Sequence, residues 1–251
     1  MSVPTTPAPP ARRMTWFGLV GLIVAFVIGQ SIVSIVFFDA LSERAFPDVH
    51  AGLKVAAVHG AGTAIVALAI TWKRWWPQVL RDHLPARRWV WWPSLVLIAV
   101  AIGMADYGRI GEAGLAVLGA VALGTLMIAV GEELLFRGVA VVFLRERFGE
   151  LGVALLSSLL FGLVHFPAGP VQVVFSALLG FVLYLARRVS GGLILPIAVH
   201  VAWDLSVFTA SLNSTEPVSS DASFALAIAN VLVVLVAAIL WRRVSPASSR
   251  A

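Results

Sequence analysis

Two adjacent acids and an arginine interrupt one of the longest apolar runs in the sequence. The stretch GEELLFRG at residues 131–138 contains Glu132, Glu133 and Arg137, and the run that encloses it, 113–144, is otherwise almost wholly apolar and long enough to cross a bilayer. An ionisable group at the centre of a bilayer costs about 2.5–3.5 kcal/mol on insertion scales. Three such groups together therefore predict a functional site within a membrane.

The spacing of these charged residues separates one of them from the other two. Glu133 and Arg137 are four positions apart, so on a helix they share one face and can form an ion pair that does no more than neutralise both charges. Glu132 points about 100° away from Glu133 and has no basic residue within one turn. We therefore expect its partner to come from another helix.

Two further apolar segments carry polar side chains. The stretch FGLVH at 161–165 ends in His165, and HVAWD at 200–204 begins with His200 and ends with Asp204. Because His200 and Asp204 are four positions apart, the carboxyl can accept a hydrogen bond from the ring and fix its tautomer, or the two can form a purely structural contact.

A glutamate and two histidines brought together in a membrane suit two kinds of hydrolytic chemistry. Glu132 can act as a general base that deprotonates a water held beside a histidine, and the His200–Asp204 pair can stabilise the oxyanion formed when that water attacks a carbonyl. Glu132, His165 and His200 can also form a zinc site, in which the metal lowers the pKa of a bound water to about 7. The residues leave both mechanisms open, although the zincin motif HExxH is absent.

The composition places these motifs in a polytopic membrane protein. The chain has 251 residues, of which 60% are hydrophobic and 12% are charged, whereas soluble domains are about 25% charged. The basic residues flank apolar segments, which argues against nucleic-acid binding, and the absence of cysteine excludes disulfides, thiolate metal sites and a cysteine nucleophile. The predicted fold is an all-α bundle of about eight transmembrane helices, with apolar segments at 15–38, 55–72, 90–106, 113–144, 150–166, 171–186, 191–211 and 223–241.

The distribution of positive charge predicts the topology. With both termini in the cytoplasm, fourteen of the 18 Lys and Arg residues lie on the cytoplasmic side, and only Arg44, Lys54 and Arg109 lie on the other, with Arg137 inside the membrane. The positive-inside rule favours this orientation. The resulting divisions are a flexible N-terminal tail at 1–14, one transmembrane domain at 15–243 and a C-terminal tail at 244–251.

Two connections between the segments carry their own predictions. The cytoplasmic connection 73–93 interleaves tryptophans with basic residues, which is typical of an anchor at the headgroup level. A lid that receives a membrane-bound substrate is the alternative. The connection 213–222 is predicted to be an outer turn.

Helix rise gives an approximate depth for each polar motif. Measured from the predicted cytoplasmic ends, Glu132 lies about 19 Å deep, His165 about 22 Å and His200 about 13 Å. Helix tilt accommodates this spread, so we expect the three motifs to meet in one pocket. His59, in the second segment, has only small and apolar neighbours in sequence and is expected to be a packing residue.

Taken in order, the motifs EExxxR, FxxxH and HxxxD resemble the three motifs of the CPBP family. They occupy 132–137, 161–165 and 200–204, and the resemblance covers about residues 90–210. That family comprises the CAAX prenyl endopeptidases and the bacteriocin-processing or immunity proteins also called Abi. The resemblance implies an intramembrane endopeptidase.

The resemblance also implies a role for each matched residue. Glu132 would activate a water with the help of His165. His200 and Asp204 would line the oxyanion site. Glu133 and Arg137 would position Glu132. The prenyl-processing members carry Asn where this chain has Asp204, and an ionised aspartate cannot donate a hydrogen bond to an oxyanion.

The resemblance implies a partner and a location, and it leaves alternatives. The expected substrate is a membrane-bound peptide or protein, of CAAX type or of bacteriocin-leader type, cleaved by a multi-pass protein of the plasma membrane. A glutamate mechanism needs no cofactor, whereas a metalloprotease mechanism needs a divalent metal such as zinc. A catalytically inactive immunity or partner-binding protein and an ion- or proton-coupled transporter are the alternative functions.

Overall fold

The computed structural model describes residues 13–38, 46–214 and 220–244. Within these ranges no β-strand forms, and the only ladder contacts are two isolated bridges. The all-α prediction is confirmed. The helices are α1 Trp16–Phe38, α2 Val49–Lys73, α3 Trp76–Leu80, α4 Trp91–Met104, α5 Tyr107–Glu112, α6 Gly114–Glu132, α7 Val141–Arg145, α8 Glu150–Leu163, α9 Pro170–Ser190, α10 Ile194–Thr209 and α11 Ser220–Ile239.

Eight apolar helical stretches lie where the eight segments were predicted. Four are long and apolar enough to cross a bilayer: Trp16–Phe38, Val49–Lys73, Gly114–Arg145 and Pro170–Ser190. Four are shorter: Arg88–Met104, Glu150–Leu163, Ile194–Thr209 and Phe224–Ile239. Large apolar side chains such as Phe17, Leu115 and Ile194 point away from the bundle, as lipid-facing residues do. The number of spans and their orientation remain predictions.

The helix that carries the first motif lies at the centre of the bundle. α6 and the residues that follow it contact α2, α8, α9 and α10. Small residues bring α2 and α6 close together: a Cβ added at Gly52 would lie 2.7 Å from the Ala120 carbonyl carbon, and one at Gly124 would lie 3.1 Å from the Gly52 oxygen. Close approach through glycine is a common way for membrane helices to associate. It fixes the position of α2 relative to Glu132, the last residue of α6.

The predicted helix over 113–144 is present, but it is not α-helical throughout. After α6 the chain continues as a π-helix, Glu133–Ala140, before α7 resumes the α-helical form. All eight side chains of this segment are buried. A π-helix of this length is rare, and π-bulges occur frequently at functional sites.

The predicted cytoplasmic connection 73–93 is held to the bundle by buried charges. Asp82 accepts from Arg145 at 2.8 Å and from Arg187 at 3.3 Å. Glu150 accepts from Arg145, Arg188 and the Tyr184 hydroxyl. The Arg187 side chain is fully buried and also donates to backbone carbonyls of the connection, at Gln78, Val79 and Arg81.

These contacts attach the connection firmly to α7, α8 and α9. Trp75 within it is only 3% exposed, and the Trp89 indole donates to the Arg243 carbonyl. Several of its tryptophans thus pack against protein, and the anchor in the headgroup layer stays a prediction. The predicted tails at 1–14 and 244–251 and the outer turn at 213–222 fall largely outside the described residues.

Candidate functional site

Glu133 joins two of the three motifs. Its Oε1 atom accepts from Arg137 Nη1 at 3.2 Å and from His200 Nδ1 at 3.0 Å. The Glu133 and Arg137 side chains are completely buried. The predicted pair between these two residues is therefore present, but its carboxylate also binds α10, which the spacing within one helix could not indicate.

Glu132 finds its partner on another helix, as predicted. Its Oε2 atom lies 3.7 Å from His200 Nε2, and its side chain is 9% exposed. This oxygen is buried and accepts no hydrogen bond within the described part of the chain. A carboxylate oxygen with free lone pairs beside an imidazole is suitably placed to accept a proton.

The His200 ring lies among three carboxylates. Asp204 Oδ2 approaches Nε2 at 3.5 Å, so Asp204 and Glu132 face the same ring nitrogen while Glu133 occupies the other. The ring is thus fixed by the hydrogen bond that Nδ1 donates to Glu133, whereas we expected Asp204 to accept the bond that fixes it. The doubly protonated ring, which donates from both nitrogens, matches this set of acceptors.

His165 lies beyond Phe161, at the end of α8. Its Nδ1 atom donates to the Phe161 carbonyl at 2.8 Å, and because a carbonyl only accepts, the neutral ring presents a lone pair at Nε2. The Phe161 ring makes edge contacts with both histidine rings, with centroids 4.9 Å from His165 and 5.6 Å from His200. Phe161 thus packs between the two histidines.

Arg137 is held by contacts on two sides. Its guanidinium carbon lies 4.1 Å from the centre of the Phe161 ring, an arrangement typical of cation–π attraction. A Cβ at Gly180 would lie 2.8 Å from Arg137 Nη2, so the glycine on α9 makes room for the arginine. The cation therefore reaches no lipid, which reduces the cost of placing it in a membrane.

The donors at the site do not fit a metal in this arrangement. Nowhere in residues 13–38, 46–214 and 220–244 are three His, Asp or Glu side chains placed to hold a metal ion. In the set that the sequence allowed, Glu132, His165 and His200, each histidine holds a partner at Nδ1, which leaves Nε2 for a metal. The three side chains are nevertheless not placed close enough together to hold one ion. The zinc site that the sequence allowed is therefore not assembled here.

The structure brings together most of the predicted site residues and adds features that the sequence did not reveal. Glu132, Glu133, Arg137, His200 and Asp204 form one contact network, and His165 joins it only through Phe161. His59, which was expected to be a packing residue, lies on the face of α2 that packs on α6, and its Nδ1 atom is buried without a hydrogen-bond partner among the described residues. The spacing of His59 from the small residues on the buried face of α2 could have indicated this position from the sequence.

Comparison with known proteins supports the resemblance. Residues 114–206 match the family model described as Rce1-like, type II CAAX prenyl endopeptidase Rce1-like, and this segment lies inside the predicted core of 90–210. No curated protein and no solved structure matches the chain significantly. All three motifs fall within the matched segment. Over residues 114–206 the chain is therefore similar to the Rce1-like CAAX prenyl endopeptidase family, and its four long apolar helices suit a multi-pass membrane protein.

Proposed function

We propose that the protein hydrolyses a peptide bond of a membrane-associated substrate and that Glu132 is the general base. The observation that carries this proposal is the Glu132 Oε2 atom, which is buried, lies 3.7 Å from His200 Nε2 and accepts no hydrogen bond from the described residues. In the proposed reaction Glu132 takes a proton from water as the oxygen attacks the scissile carbonyl. It then gives the proton to the leaving amine.

His200 and Asp204 are proposed to stabilise the oxyanion of the tetrahedral intermediate. The doubly protonated His200 ring offers an N–H at Nε2 to the developing charge, and Glu133 holds the ring by its other nitrogen. Asp204, 3.5 Å from Nε2, contributes a donor only when it is protonated. Glu133 and Arg137 are positioning residues in this scheme, because they act through His200.

His165 is proposed to orient the attacking water. The lone pair at Nε2 accepts one hydrogen of the water while Glu132 accepts the other. In this structure Phe161 lies between the His165 and His200 rings. In this proposal His165 therefore holds the water from one side of Phe161, and His200 faces the carbonyl from the other side.

The proposed substrate is a lipid-embedded peptide or a membrane-anchored protein in the plasma membrane, of the CAAX type or the leader type. The site lies in a bundle whose outer face carries large apolar side chains, which suits a substrate held in the same membrane. The proposed mechanism uses no metal, because the donor arrangement does not fit one.

A cleavage assay in proteoliposomes tests this proposal. The panel contains a farnesylated CAAX-type peptide, its unprenylated form and a membrane-bound leader-type peptide, each assayed with and without a strong chelator. We expect cleavage of at least one member and no loss with the chelator. Cleavage that is abolished by the chelator and restored by zinc would contradict the metal-free mechanism, and no cleavage across the panel would contradict the proposed substrate classes.

A further inference from the structure

His59 lies on the face of α2 that packs against the centre of the bundle. Residues at positions 52, 56, 59, 63, 66 and 70 recur every three or four places and so share one face of the helix. Gly52, Ala56, Val66 and Ile70 on this face are all buried. His59 is the one ionisable side chain among the six, and its exposure is intermediate.

The packing of α2 on α6 places His59 next to Glu132. One turn after His59, the Thr63 hydroxyl donates to the Met127 carbonyl at 3.2 Å, and a Cβ at Gly131 would meet the Thr63 oxygen. Gly131 directly precedes Glu132, and the four residues from His59 to Thr63 span about 6 Å of α2. The interactions of His59 with Glu132, His165 and His200 agree with this register.

Both α2 and α10 pack on α6, and they make at most marginal contact with each other. We use the term cleft for the space between α2 and α10 at the end of α6. The Glu132 and His200 side chains next to it are 9% and 3% exposed. The side chains of His59, His165 and Asp204 are more exposed than these two.

His59 has a hydrogen-bonding atom that the rest of the described chain does not use. Its Nδ1 is buried and has no partner within the described ranges. A polar atom left unpaired in a buried site costs about 1–3 kcal/mol, so its retention calls for a partner that binds there. The roles proposed above assign nothing to His59.

We propose that His59 is a substrate-binding residue, which forms the α2 side of the cleft and hydrogen-bonds the substrate backbone through Nδ1. A peptide lying between α2 and α10 then has His59 on one side and His200 with Asp204 on the other. Its scissile carbonyl lies above Glu132. This inference rests on the proposed function and adds the side of the cleft that the three motifs do not supply.

The absence of cysteine from the chain allows a direct test by cross-linking. Three separate variants carry one cysteine each, in place of His59, Asp204 or Ala57. All three also carry Glu132→Ala, which should stop cleavage so that the bound substrate stays intact. The probe is a farnesylated CAAX-type peptide with one additional cysteine, two residues before the scissile bond. Ala57 is the matched control, because it lies two residues from His59 on the exposed face of α2. We expect oxidation to cross-link the probe to positions 59 and 204 but not to 57.

The pattern of cross-links separates failure of this inference from failure of the proposed function. Cross-linking at 204 without 59 would overturn the role of His59 alone. No cross-link at either position would overturn the placement of the substrate cleft, and with it the proposed site. Equal cross-linking at 57 and 59 would also overturn the inference, because it would show unselective contact.

Kinetics distinguish binding from a structural role. In the otherwise native chain we expect His59→Ala to raise KM about tenfold with kcat changed less than about threefold, as for loss of one hydrogen bond to bound substrate. His59→Asn places an amide near the Nδ1 position and should restore most of the affinity. A fall in kcat at unchanged KM, or a lowered melting temperature that accounts for the loss, would contradict a substrate contact.

Discussion

Glu133 is the residue on which the geometry of the site depends. One of its oxygens binds both Arg137 and His200, so it neutralises a buried cation and fixes the ring that faces Glu132. The sequence predicted the Arg137 contact, because residues four apart on a helix are neighbours. It could not predict the His200 contact, since two residues 67 positions apart meet only through the packing of α10 on α6.

Removing Glu133 alone should therefore be costly. We expect Glu133→Ala to lower the free energy of unfolding by about 3–5 kcal/mol, because it leaves Arg137 buried without a counter-ion. The double variant Glu133→Leu/Arg137→Leu should recover much of this loss, since replacing a buried pair by apolar residues is often neutral. Thermal unfolding in detergent measures both effects, and a double variant no more stable than Glu133→Ala would contradict the explanation.

Stability and activity should separate in that double variant. Because His200 loses its Nδ1 acceptor, we expect cleavage to stay at least about 10²-fold below wild type even where stability is recovered. The same purified protein serves for both measurements. Recovery of cleavage together with stability would show that Glu133 does not act through His200.

Asp204 provides a test of the proposed oxyanion site. Asp204→Asn exchanges a carboxyl for an amide that always donates, so we expect cleavage within about tenfold of wild type. Asp204→Leu removes the polar group and should lower kcat by about 10²–10³-fold, as for loss of an oxyanion donor. Initial rates on the farnesylated peptide distinguish the two. A severe loss in Asp204→Asn would instead indicate that the negative charge is required.

At the scale of elements, the π-helix and the contact of α2 with α6 determine where the site residues point. The apolar pattern predicted a helix over this segment, but the widened turn begins at Glu133, where the chain meets α8, α9 and α10. Local propensity carries little information about such a turn, because it is stabilised by contacts from other helices. The three motifs and their similar depth were predictable, whereas the individual contacts among their side chains were not.

The close contact of α2 with α6 can be tested with two glycines on the same helix. A Cβ at Gly52 would lie 2.7–2.8 Å from atoms of Ala120 and Val121, whereas one at Gly60 meets nothing within 4 Å. We expect Gly52→Ala to destabilise the protein by about 1–3 kcal/mol, because overpacking forces the backbones apart. Gly60→Ala should be neutral or stabilising by up to about 1 kcal/mol. Equal melting temperatures for the two variants would contradict this packing.

At the scale of the whole molecule, the predicted orientation rests on the distribution of charge along the chain. Arg187 and Arg188, which the positive-inside rule places on the cytoplasmic side, are 0% and 3% exposed and bind Asp82 and Glu150 within the protein. The sequence predicted where basic residues concentrate, but not that these would be buried. Their partners lie far apart in the chain and are brought together only by the fold.

The predicted topology can be measured with single cysteines in this cysteine-free chain. Gly111 and Glu146 are both exposed, on predicted opposite sides of the membrane. We expect a membrane-impermeant maleimide to label Gly111→Cys in intact cells and Glu146→Cys only after permeabilisation, because Arg145 and Arg147 flank the latter. The reverse labelling pattern would contradict the orientation.

The role of Glu132 as the base is tested most directly by Glu132→Gln, which keeps the shape of the side chain but cannot take a proton from water. Glu112→Gln, at an exposed position outside the site, is the matched control. With the cleavable member of the peptide panel in proteoliposomes, we expect Glu132→Gln to lose about 10²–10⁴-fold in kcat at an unchanged melting temperature, while Glu112→Gln cleaves like wild type. Cleavage by Glu132→Gln within about tenfold of wild type would contradict a mechanism based on this carboxylate.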